Sequence, residues 1–202
     1  MKPVRPGPAA PRRIGPVALT LALLACGGGD GDAPPADAAP DDTAPATSPH
    51  AVPDGEPGPW AMPPVEGQGS GQYRGVAILR GVRTGRHDAF DRIVFEFAGH
   101  LPPYAVRYVE SPAACGSGDA VDPGGAAALE VDLRPAAAHD GDGRATIHER
   151  TFRPGLPALR AARITCDFEA VVTWVLGVDR RTPVRVLELS SPPRLVLDLR
   201  HR

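Results

Sequence analysis

The chain has 202 residues, with 24 acidic and 22 basic side chains and a formal net charge of -2, a length that suits one domain plus accessory sequence. No block of basic residues offers a footprint for a nucleic-acid partner. Lysine is absent after Lys2, which excludes Schiff-base and lysine general-base chemistry from the mature protein.

The N-terminus carries Lys2, Arg5, Arg12 and Arg13, then an apolar run from Ile14 to Leu24, then Ala25 and Cys26. Basic, apolar and small-residue regions in that order form a secretory signal. The run falls short of the roughly 20 apolar residues that a membrane helix needs, and Gly15 and Pro16 interrupt it early. "LLAC" resembles the lipobox of bacterial lipoproteins. That resemblance implies a signal peptide over 1–25, lipidation of Cys26 and a membrane partner reached through the lipid anchor. The alternative is an ordinary secretory signal cleaved nearby, which leaves Cys26 a free thiol. Three cysteines in an exported chain leave one odd. Lipidation of Cys26 reduces the count to Cys115 and Cys166, a pair that an oxidising compartment closes.

Residues 26–71 are expected to form an acidic tether. Their Ala, Pro, Gly, Asp, Ser and Thr hold few large apolar groups, too few to offset the entropy of ordering. Trp60 and Met62 are exceptions that either dock on the domain or stand exposed. From residue 72 to 202 the pattern changes to short runs with period-two alternation, broken by Gly, Pro and Asp. Ile93, Phe95 and Phe97 share one face of "RIVFEF", Leu129, Val131 and Leu133 one face of "LEVDL", and Leu195, Leu197 and Leu199 one face of "RLVLDLR". Further candidates are Gly75–Arg83, Ala105–Glu110, Ala162–Phe168, Val171–Val178 and Val184–Leu189. About eight strands without an amphipathic helix predict an all-β, two-layer β-sandwich. The segment 150–162 is the place where one helical turn would fit. "AVVTWVLGV" is apolar on both faces, which suits either a central strand covered on both sides or a strand with a binding surface outside. Cys166 falls in phase with Ile164 and Phe168, toward the core. A Cys115–Cys166 bridge would close a loop of about 50 residues, stabilising the fold by up to about 4 kcal/mol on the chain-entropy account.

"GRHDAFDRIVFEFAG" (85–99), "PPYAVRYVE" (102–110), "VVTWVLGV" (171–178) and "LSSPPRLVLDLRH" (189–201) together resemble the AMIN-like domains of bacterial exported and lipid-anchored proteins. The resemblance covers roughly 73–202. It implies a β-sandwich with a non-catalytic binding or localising role in the cell envelope, directed at peptidoglycan or another envelope polymer. It implies no catalytic residues and no cofactor. The segment from about 111 to 170, with its cysteine loop, is longer than a minimal AMIN domain needs.

Two groups of residues bear on chemistry. His87, Asp88, Asp91 and Arg92 lie within "HDAFDR". They form either a polar cluster for sugar hydroxyls or a metal, or a hairpin in which Asp88 shapes the turn and Asp91 pairs with an arginine. Arg194 and Asp198, at spacing four, share the face opposite Leu195, Leu197 and Leu199. With Arg92 and Trp174 they would make a charged groove with an aromatic platform; the bland reading is a solvated strand face with one ion pair. "AHDGDG" (138–143) has too few regularly spaced oxygen ligands for calcium and reads as a turn. No serine sits in a nucleophile-elbow setting, so the expectation is a binding protein rather than an enzyme. A protein-interaction module of an envelope assembly, docking by strand addition or through the "VVTWVLGV" face, is the competing class.

Overall fold

Alternation between large apolar and polar residues organises the molecule into two sheets. The computed structural model describes residues 57–70 and 75–202, in which eleven strands run β1 (Val65–Gly67), β2 (Ala77–Arg86), β3 (Phe90–Ala98), β4 (Tyr104–Val109), β5 (Ala127–Leu133), β6 (Ala136–Ala137), β7 (Thr151–Phe152), β8 (Leu159–Phe168), β9 (Val171–Val178), β10 (Val184–Ser190) and β11 (Pro193–Arg200). One sheet has the order β1-β4-β5-β9-β8-β7 and the other β10-β11-β3-β2-β6. All neighbours are antiparallel except β2 and β6. The predicted β-sandwich is present, and the eight longer strands coincide with the eight apolar runs. Segment 150–162 holds no helix: its ends form β7 and the start of β8.

The inner faces meet in one core. Ile93, Phe95 and Phe97 of β3 and Leu195, Leu197 and Leu199 of β11 face Leu129, Val131 and Leu133 of β5 and Val172, Trp174 and Leu176 of β9. At its centre Trp174 stands edge-on to Phe95, ring centroids 5.8 Å apart, with Phe152 on another side at 5.9 Å. Tyr104 of β4 reaches across to the other sheet, where its hydroxyl donates to Glu188 of β10 at 2.7 Å. The ring lies over Gly67, where a Cβ would come within 2.2 Å of it.

Two sequence expectations change here. Residues 57–70 belong to the sandwich rather than to the tether. Gly58 N–H donates to the Val186 carbonyl, Ala61 exchanges both backbone hydrogen bonds with Val184, and Val65–Gly67 adds a strand to β4. This strap covers part of the edge of β10 and then extends the opposite sheet, so paired backbone groups replace exposed ones. The second correction concerns Cys166. A bulge between Ile164 and Cys166 shifts the register, so that Ile164 faces Trp174 in the core while Cys166 lies opposite Thr173 on the outer face. There it is bonded to Cys115, with Cα atoms 5.2 Å apart. The inserted residue reverses the phase that the sequence pattern carries across it.

The bridge explains the double-sided character of β9. The 111–126 loop runs over the outer face of this strand, with Cys115 N–H donating to the Thr165 carbonyl and Pro123 packed so closely on Gly177 that a Cβ would come within 1.9 Å of its oxygen. Val175, on that outer side, is as fully buried as Trp174 on the inner one. Of the two readings of "AVVTWVLGV", the covered central strand is the observed one.

Candidate functional site

The β2–β3 hairpin turns on Asp88 and Ala89, closed by His87 N–H donating to the Phe90 carbonyl. Because β3 alternates, the residues of "HDAFDR" part company. Asp91 points with Ile93 to the inner side, while Phe90 and Arg92 point out. Asp91 is fully buried. Its carboxylate accepts the backbone N–H groups of Ala158 and Leu159 at 2.5 and 3.0 Å and contacts His201 Nε2 at 2.8 Å. The expected arginine partner is replaced by backbone donors, because the inward orientation brings Asp91 to the turn before β8. Asp88 stays exposed at the hairpin tip, and its carbonyl lies 3.3 Å from His201 Nδ1.

On the outer face, register aligns Arg185 of β10, Asp198 of β11 and Arg92 of β3 in one row. Asp198 has no exposed surface and takes two hydrogen bonds from each arginine: from Arg92 Nε and Nη2 at 2.7 and 3.0 Å, and from Arg185 Nε and Nη2 at 3.0 and 2.6 Å. Two planar guanidiniums are thereby held by one carboxylate, a geometry in which charge assistance and orientation reinforce each other. Aromatic rings complete the surface. Arg92 lies 5.3 Å from the Phe90 centroid; Arg185 lies 5.0 Å from Phe90 and 4.7 Å from Trp60; Arg200 lies 5.8 Å from Trp60. His87 stacks on Phe90 at 4.4 Å. Beside Arg92, Gly85 leaves open space where a side chain would stand. The outcome is a half-buried patch of alternating guanidinium and ring faces, able to stack on the C–H faces of a sugar and to donate hydrogen bonds to hydroxyl or acid oxygens.

Of the sequence candidates, His87, Arg92 and Asp198 come together here, with Asp198 as the hidden organiser of the arginines. Trp174 is a correction: its side chain is fully buried in the core, so it provides no surface platform, because it points to the same side of β9 as Val172 and Leu176. Trp60 supplies the aromatic face instead. Arg194 is also separate. It lies toward the other end of β11, where its guanidinium donates to the carbonyls of Pro192 and Ser191 at 3.2 and 3.4 Å. Of the two readings of Trp60, docking on the domain is the observed one, whereas Phe90, Arg185 and Arg200 escaped the sequence reading as members of a site. Cys26 lies outside the described residues.

Round the end of the same sheet, the C-terminal residues, the start of the hairpin and the 157–160 and 179–182 segments enclose an open cleft of about 460 Å³. Elsewhere, "AHDGDG" forms the turn that its composition suggests, with Asp140 accepting the N–H groups of Asp142 and Arg144. Among the described residues no group of three His, Cys, Asp or Glu side chains is placed to hold a metal ion.

Comparison with curated proteins and with solved structures gives no match. A family model described as the AMIN-like domain matches residues 77–201, from the first residue of β2 to just beyond β11. The chain therefore belongs to the AMIN-like domain family, whose domain is generally a non-catalytic binding module of the bacterial envelope.

Proposed function

We propose that this is a lipid-anchored envelope protein whose sandwich binds peptidoglycan or another envelope polymer without chemically altering it. The observation that carries the reading is the outer-face patch, where rings and guanidiniums alternate within reach of one extended ligand. Supporting it are the family match, the lipobox-like "LLAC" and the acidic segment between Cys26 and the strap, which gives the domain reach from the bilayer. The "VVTWVLGV" face lies beneath the disulfide-pinned loop, which speaks against docking of a partner protein there.

Sedimentation with purified cell wall tests the proposal. The protein is expected to pellet at low salt, and a His87→Ala/Arg200→Ala chain to pellet much less while keeping its melting temperature. A wild-type chain that stays in the supernatant defeats the reading. For the anchor, Cys26→Ser is expected to move the protein out of the membrane fraction; retention there defeats lipidation.

A further inference from the structure

The open cleft next to the aromatic patch is unusually one-sided in charge. Arg86, Arg160, Arg180, Arg200 and Arg202 line it, and Asp179 is the one carboxylate among the described lining side chains. Asp179 is shared among Arg160 at 3.0 Å, Arg202 at 3.5 Å and Arg180 at 3.9 Å. The Arg160 hydrogen bond and the surrounding cations hold its carboxyl below the usual range. Asp91, the nearest buried carboxylate, is already committed to backbone N–H groups and His201. Arg86 has no ion-pair partner among the described residues, and Arg200 rests on the Trp60 ring.

A concave wall with such an excess of guanidinium concentrates anions, and the forked donors of arginine match the oxygens of phosphate or carboxylate. A single carboxylate would occupy one fork and leave the rest facing each other. A phosphate offers oxygens to several forks at once, and the cleft has room for one with its flanking glycerol or sugar. Arg200 belongs to both surfaces, so a sugar held at Trp60 and Phe90 would bring the next unit of its chain to the cleft mouth.

We infer that this cleft is a phosphate site, which takes the phosphodiester groups of an anionic envelope polymer. The inference rests on the polymer-binding reading above and names the part of the polymer that is gripped.

Calorimetric titration of the full chain in a neutral detergent tests it, with pyrophosphate, an oligo(glycerol phosphate) and a disaccharide-peptide muropeptide as probes. Pyrophosphate and the oligomer are expected to bind and the muropeptide to bind more weakly. Arg86→Ala and Arg202→Ala should each weaken the oligomer about tenfold, the loss of roughly one charge-assisted hydrogen bond. Asp179→Asn should tighten it, because a competing anion is removed. The phosphate site is overturned if the muropeptide binds and the phosphate probes do not, or if these three substitutions leave phosphate binding unchanged; wall sedimentation through the aromatic patch would survive either result. Pyrophosphate binding without oligomer binding overturns the polymer as source. Failure of every probe together with failure to sediment removes both readings.

Discussion

Replacing Asp198 by alanine probes the physical basis of the outer-face patch. The carboxylate is completely buried, whereas the Arg92 and Arg185 side chains keep 23% and 20% of their surface. Removing it deletes four hydrogen bonds of 2.6–3.0 Å and leaves two like charges side by side, only partly reached by water. Breaking a buried pair from one side costs about 3–5 kcal/mol. The residual exposure of both arginines favours the lower end, about 3 kcal/mol, which is a large part of the 5–15 kcal/mol that typically holds a domain folded. Urea unfolding of the full chain with the disulfide intact would show a lower midpoint at an unchanged slope. Exchanging all three residues for leucine should recover much of the loss, because the desolvation of the charges disappears with them. If Asp198→Ala costs less than about 1 kcal/mol, the ordinary value of an exposed pair, the reasoning from burial is wrong.

Three further outcomes are expected. Gly177→Ala forces a methyl group toward the Pro123 oxygen and should cost about 2–3 kcal/mol, with faster proteolysis within 116–124 because the loop lifts from β9; unchanged stability and cleavage would contradict the close packing. Trp174→Ala should cost about 3–5 kcal/mol as a core cavity, and Trp174→Phe distinctly less, since the indole Nε1 has no hydrogen-bond partner among the described residues to lose; equal unfolding midpoints for the two variants would refute this. Burial, and then the Glu188 hydrogen bond, push the Tyr104 hydroxyl well above its ordinary 10.0. A raised folded value means that the contribution is complete below pH 10 and is lost as pH rises above it. Tyr104→Phe should therefore flatten the alkaline fall in melting temperature, leaving the part due to Tyr108, which burial also raises; an unaltered alkaline slope would count against it.

Much of the architecture is local in origin and hence legible in sequence. Period-two alternation marks strands such as β3, β5 and β11, since a side chain on a half-buried sheet must face either core or solvent, whereas β9, covered on both sides, is marked by an unbroken apolar run. The pairing of Cys115 with Cys166 followed from cysteine arithmetic, and the sandwich class from strand count. The site was less legible, because sequence alternation states that Arg92 and Asp198 point outward but not which residues stand beside them.

Register decided that question. It set Arg185 and Arg92 on either side of Asp198, turning an expected ion pair into a two-arginine clamp, and it put Arg194 at the far end of the strand. A one-residue bulge turned Cys166 away from the core, and no periodicity argument survives an insertion of that kind. Trp60 appeared to belong to a linker, since its neighbours are Pro and Gly; its place over Arg185 depends on backbone pairing with β10, a contact between residues more than a hundred positions apart. The charge balance of the cleft is likewise a tertiary quantity. Arginines from four separate segments meet there, and among the described lining residues Asp179 is the one carboxylate that faces them. Sequence alone determined the eight long strands, the class of fold and the resemblance to the family. The three-dimensional pairing of distant strands decided which side chains share a surface, because register and bulges depend on packing across the whole core.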